Sequence, residues 1–91
     1  MNKYFVEFLG TMFLVFVIFA TNHWLAIGLA LAIAVYLGGA ISGGAFNPAV
    51  AISLYASGKL SKKDLLPYII VEILGGLAAF FVYKRYITKP I

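Results

Sequence analysis

Residues 41–57 place the tightest constraint on how this chain can fold. The segment starts Ile41-Ser42-Gly43-Gly44-Ala45-Phe46, turns at Asn47-Pro48, and continues as a short apolar run to Ser57. Pro48 fits the first position of a helix, where its missing N–H costs nothing, and Asn47 then takes the N-cap place. A helix from Asn47 to about Ser57 is roughly 15 Å long, about half the thickness of a hydrocarbon core. It is too short to span a bilayer and too apolar to lie in water. The pattern predicts a re-entrant loop and half-helix over about 41–57. Non-helical backbone at membrane depth is tolerated only where protein buries it or where it lines a water-filled cavity. The carbonyls of residues 42–46 are therefore met either by other protein groups or by something that passes them.

The rest of the chain supplies the membrane context. The 91 residues are 64% apolar and 11% charged, against roughly half and a quarter in globular domains. A soluble chain of this size could not hide that much apolar surface. Three long apolar runs, about 4–21, 24–40 and 65–84, are each near the length of a spanning helix. The predicted fold is thus an all-α integral membrane protein of three transmembrane helices plus one re-entrant half-helix, in a single unit over 1–91. Lys3 before an apolar run also fits a signal peptide, but Glu7 lies inside the run and Ile18-Phe19-Ala20 is no small-residue cleavage site. Thr21-Asn22-His23 is read as a short surface turn and Trp24 as an interfacial anchor. Small residues recur in the second run, with Gly28 and Ala32 on one helix face suited to close packing in lipid. Ser61, followed by Asp64, is a candidate cap for the third span, with Pro67 in its first turn.

The charge of +4 is spread over membrane flanks: Lys3; Lys59, Lys62 and Lys63; and Lys84, Arg85 and Lys89. This is not a nucleic-acid patch. One His, no Cys and three carboxylates make no catalytic or metal-binding set, so neither an enzyme nor a metal or other cofactor is expected. Glu7 and Glu72 lie within spans, where a carboxylate is expensive and defaults to a buried structural or functional role. The favoured role is to accept hydrogen bonds from the backbone of the re-entrant loop; proton relay is the other. The Asn47 amide has two N–H donors, and the half-helix N-terminus adds about half a positive charge. Together with the carbonyls of Gly43, Gly44, Ala45 and Phe46 along one wall, they suit single-file passage of a small neutral polar molecule and oppose a cation.

Residues Ser42-Gly43-Gly44-Ala45-Phe46-Asn47-Pro48-Ala49-Val50 resemble the first Asn-Pro-Ala loop of the aquaporins, the major intrinsic protein family. Glu7-Phe8-Leu9-Gly10-Thr11 resembles the first-helix motif of that family, which carries a buried Glu. Tyr68 to Gly76 resembles its third helix, where Gln is usual at the position of Glu72. The resemblance covers essentially the whole chain. It implies that Asn47, Pro48 and Ala49 form the central constriction of a pore, and that Ile27, Val35, the Gly44 carbonyl and Val50 occupy the outer filter. The family has an Arg at the position of Val50 and often a His at that of Val35. The filter here resembles an aliphatic ring without its cation.

Family members have six spans and two such loops, arranged as inverted repeats, whereas these residues carry one. The expected repair is an antiparallel homodimer in which two Asn-Pro-Ala loops meet at the midplane. Lys3, Lys59, Lys62 and Lys63 fall on one side and Lys84, Arg85 and Lys89 on the other, a split of four to three that barely selects an orientation. By analogy with the family, four such dimers, or eight chains, would surround a four-fold axis. The expected function is a passive channel for water or small neutral solutes such as glycerol. The chain would be a multi-pass protein of the cell (plasma or inner) membrane with dual topology, and its partners would be lipid, its own copies and the permeant. The alternatives are a non-conducting accessory or relic subunit, or an ion or proton conductance using Glu7 or Glu72.

Overall fold

A computed structural model of the chain describes residues 1–87, and Lys89, assigned above to the second basic flank, lies outside them. Four helices follow in order: α1 Lys3–Thr21, α2 Trp24–Ser42, α3 Pro48–Ala56 and α4 Lys62–Tyr86. The helices α1, α2 and α4 are long and apolar enough to cross a membrane; α3 is not. Each start is capped by a side chain. Asn2 accepts the Tyr4 N–H at 2.7 Å, and His23, expected only to be a polar turn residue, caps α2 by accepting the Leu25 N–H on Nδ1 at 3.2 Å. Asn47 caps α3, and Ser61 caps α4 by accepting the Asp64 N–H at 3.3 Å.

The helix α1 packs against both α2 and α4, and α3 packs against α4. Contacts between α1 and α4 run in parallel. Lys3 and Tyr4 meet Asp64 near one end, Phe8 and Thr11 meet Gly75, and the Phe19 ring meets those of Phe80 and Tyr83 near the other. On α4 the buried residues Asp64, Tyr68, Glu72, Gly75 and Ala79 recur every three or four positions, which marks the stripe facing its neighbours. Gly75 lets the two backbones approach closely, since a Cβ there would stand 2.5 Å from the Phe8 carbonyl oxygen.

Three expectations need correcting in detail. The packed stripe of α2 is Ala30, Ala34, Gly38 and Ser42, whereas Gly28 and Ala32 are exposed. Every residue around α2 is apolar or small, so composition could not distinguish one face from another. The same helix runs to Ser42, two residues past the expected end, because Gly43 takes a left-handed φ of 91° and returns its N–H to Gly39. The start of α4 moves outward to Lys62, which puts Pro67 in the second turn. The Ser61 cap and the bonds of Asp64 to Lys3 and Tyr4, each 2.6 Å, hold this added turn in place.

Large apolar side chains such as Trp24, Leu37, Phe81 and Leu66 cover the outside of the bundle. Exposure on this scale makes sense for helices solvated by acyl chains rather than by water.

Candidate functional site

The site begins with the geometry of residues 42–47. Gly43 and Gly44 both adopt positive φ, and so does Phe46, at 52°. A bulky residue accepts that conformation only when its surroundings hold it there. Two features do so. The Phe46 ring is buried over Gly10 of α1 and Gly38 of α2, where an added Cβ would run into it. Its N–H donates to Glu7 Oε1 at 2.8 Å.

Glu7 organises the loop. Fully buried on α1, it accepts the Phe46 N–H on Oε1 and both the Ala45 N–H, at 3.2 Å, and the Ser42 hydroxyl, at 2.6 Å, on Oε2. Ser42 Oγ in turn accepts the Gly44 N–H at 3.2 Å. The Tyr68 hydroxyl, on α4, donates to the Ser42 carbonyl at 2.6 Å. Every N–H from Gly43 to Phe46 is thus bonded within the protein. The carbonyls of Gly43, Gly44, Ala45 and Phe46 accept no hydrogen bond from the described residues.

Asn47 has the same asymmetry. Its Oδ1 accepts the Ala49 N–H at 2.7 Å, which turns the amide nitrogen outward with no partner among the described residues. Asn47, Ala49 and Val50 are exposed and Pro48 is half-buried, while Ala51 on the same helix is fully buried against Ala45, Leu60 and Tyr68. The nine residues of α3 separate Asn47 from Ser57 by roughly 13 Å along the helix axis, less than half of a ~30 Å hydrocarbon core.

The remaining residues named from the sequence separate into two groups. Val35 and Gly44 lie together, since a Cβ on Gly44 would touch Val35 Cγ2 at 3.5 Å. Ile27 is eight residues from Val35, about 12 Å along α2, and Val50 lies one turn into α3. These four positions do not form a ring within one protomer. Glu72 is buried level with Glu7, yet neither of its carboxyl oxygens has a hydrogen-bond partner among the described residues. No group of three His, Asp or Glu residues that could hold a metal ion occurs among the described residues.

Sequence reasoning missed the role of Tyr68, which it treated only as part of a helix motif. The available signal was a Tyr in an apolar run, one helical turn from both Asp64 and Glu72. It also missed Phe46 as the plug between Gly10 and Gly38, because nothing in a linear sequence pairs those three positions.

Comparison with known proteins gives consistent results. Residues 22–90 match the family model described as Major intrinsic protein. The chain is 40% identical to "Glycerol uptake facilitator protein-like 6" of Lactiplantibacillus plantarum, over 97% of this chain and 45% of that protein. It is 40% identical to "Aquaporin Z" of Brucella melitensis, over 87% of this chain and 41% of that protein. Identity to "Aquaporin AqpM" of Methanothermobacter thermautotrophicus is 41%, over 70% of this chain and 28% of that protein. The chain spans less than half the length of each of these relatives.

Proposed function

The chain belongs to the major intrinsic protein family, an integral membrane family of channels rather than enzymes, and on that premise we propose that two inverted copies of it form a passive pore for water or small neutral solutes such as glycerol. One observation carries the proposal. The loop has its donors bound inside the protein, while its four successive carbonyls accept no hydrogen bond from the described residues and the Asn47 amide nitrogen beyond them has no partner among those residues. Such a strip offers acceptors and then a donor to a small polar molecule moving along it. The half-helix N-terminus beside the amide repels cations at the same point.

One copy supplies one wall. A second, inserted the other way, brings its own Asn47 to the same depth and provides the wall opposite. In that arrangement Ile27 of one copy comes level with Val35, Gly44 and Val50 of the other, so the outer filter is shared between copies. Without an Arg at Val50, this aliphatic filter accepts solutes wider than water and gives up hydrogen-bonding selectivity. The proposed setting is the cell membrane, with the chain inserted in both orientations and four dimers assembled around a four-fold axis.

The test is an osmotic step applied to proteoliposomes in a stopped-flow instrument. Shrinkage faster than in empty vesicles, or glycerol entry, is expected. If neither appears, the channel reading fails and a non-conducting subunit takes its place. Labelling both termini from each side of the membrane checks the arrangement: each terminus is expected on both sides, and a single fixed orientation rejects the inverted pair.

A further inference from the structure

A cleft of about 480 Å³ opens between α1 and α2, and the channel reading does not use it. Leu9 and Phe13 of α1 and Ile33 and Leu37 of α2 stand exposed along its rim, while Ala34, Gly38 and Phe46 are buried at its base. Every residue that lines it is apolar or glycine. Water finds no partner in such a space and leaves it dry. A dry void of this size still calls for a filler, because its walls otherwise forfeit their dispersion contacts.

The placement of the cleft says what fills it. The tight turn at Asn22-His23 makes α1 and α2 antiparallel, so the start of α1 and the end of α2 share one membrane face. Met1 and Ile41 line the cleft at that face. At its inner end, Phe13 lies ten residues beyond Lys3 and Ile33 nine before Ser42, so the cleft reaches inward roughly 15 Å. That is the depth of one leaflet, about half of a ~30 Å hydrocarbon core. A spanning helix would continue through the other half. Spread over the same length, the volume gives a cross-section of roughly 30 Å², too narrow for a helix ~10–12 Å across. One extended acyl chain meets both limits.

We propose that this cleft binds one acyl chain of a phospholipid, taken from the leaflet at the Met1 face and laid lengthwise against Phe46. Selection is by shape. Lipid tails are as apolar as the walls, so binding rests on close contact rather than on transfer from water. No charged or polar side chain lines the cleft, so the headgroup plays no part. The chain touches the residue on which the loop depends, since Phe46 holds its positive φ only while its ring is packed.

Photo-crosslinking in phosphatidylcholine liposomes tests this, and its readout does not require the chain to conduct. One lipid carries a diazirine near the carboxyl end of its acyl chain and a second carries it near the terminal methyl; mass spectrometry locates the adducts. The shallow probe is expected to mark Ile41 several-fold more than Leu66, and the deep probe to mark Phe13 and Ile33 several-fold more than Leu74. Leu66 and Leu74 are exposed on α4 and report ordinary contact with lipid. Leu37→Trp alters a side chain that is 68% exposed and fills the cleft from its rim. It is expected to cut the cleft adducts several-fold and leave those at Leu66 and Leu74 unchanged; Ile33→Trp does the same if that variant does not fold. Replacing phosphatidylcholine with phosphatidylglycerol is expected to change nothing. Labelling of the cleft no stronger than that of Leu66 and Leu74, or unaffected by the tryptophan, overturns the proposal. Adducts at Leu66 and Leu74 with none in the cleft also overturn it, and mean that side chains of a neighbouring copy fill the space.

Discussion

At the residue scale, Glu7 from α1 and Tyr68 from α4 hold the loop, and each can be removed by a near-isosteric change. Gln in place of Glu7 keeps the shape but supplies a single acceptor oxygen where three donors converge, and its amide nitrogen then faces another donor. Hydrogen bonds to charged groups contribute about 1.5–3 kcal/mol each, so Glu7→Gln is expected to destabilise the fold by an amount in that range. Tyr68→Phe leaves the Ser42 carbonyl buried and unbonded, at an expected cost of about 1–3 kcal/mol. Denaturation in mixed micelles followed by circular dichroism measures both, and a change below the precision of that experiment in either variant removes its residue from the support of the loop. Glu7 was legible in the sequence because a carboxylate within an apolar run demands an explanation. Tyr68 was not, because a tyrosine can lie at a membrane surface just as well as in a core, and only the fold shows which carbonyl its hydroxyl meets.

At the element scale, the three spans and the half-helix were legible from length, apolar runs and the Asn-Pro turn. Their facing sides were not. Amphipathic contrast locates a packed stripe in water, but helices solvated by lipid are apolar all round, and small residues occur on several faces of α2. The glycines separate the two situations. Gly75 of α4 lies against the backbone of α1, where an added Cβ would stand 2.5 Å from the Phe8 carbonyl oxygen and 3.2 Å from the Met12 nitrogen. Backbone atoms cannot step aside, so Gly75→Ala must part the two helices, with an expected loss of about 1–3 kcal/mol. Gly28 has open space where its Cβ would be. Gly28→Ala is therefore expected to stabilise the single protomer by about 0.5–1 kcal/mol through helix propensity. Opposite signs for the two substitutions, measured in monomeric detergent-solubilised protein, are the outcome that supports this packing. A loss at both positions would mean that the α2 face bearing Gly28 is covered within the protomer.

At the scale of the whole molecule, the unpartnered loop carbonyls and the exposed half-helix tip call for a facing wall, which an inverted copy would supply in the proposed pore. Its geometry differs from that of a parallel pair in a way that crosslinking detects. Inversion brings both copies of the half-helix tip together near the midplane, while it carries the two Lys59 residues to opposite faces of the membrane, about 30 Å apart. In a parallel pair, both Lys59 residues lie on the same face. The chain contains no cysteine, so single replacements report without background. Ala49 is exposed one residue beyond Pro48, and Lys59 follows the end of α3 in an exposed loop. With a short thiol-specific crosslinker in native membranes, Ala49→Cys is expected to run as a covalent dimer on a denaturing gel and Lys59→Cys as a monomer. Dimers from Lys59→Cys without dimers from Ala49→Cys would mean that copies associate side by side in one orientation. Each half-helix tip would then face lipid or another partner, and two inverted half-helices could not be the source of a pore.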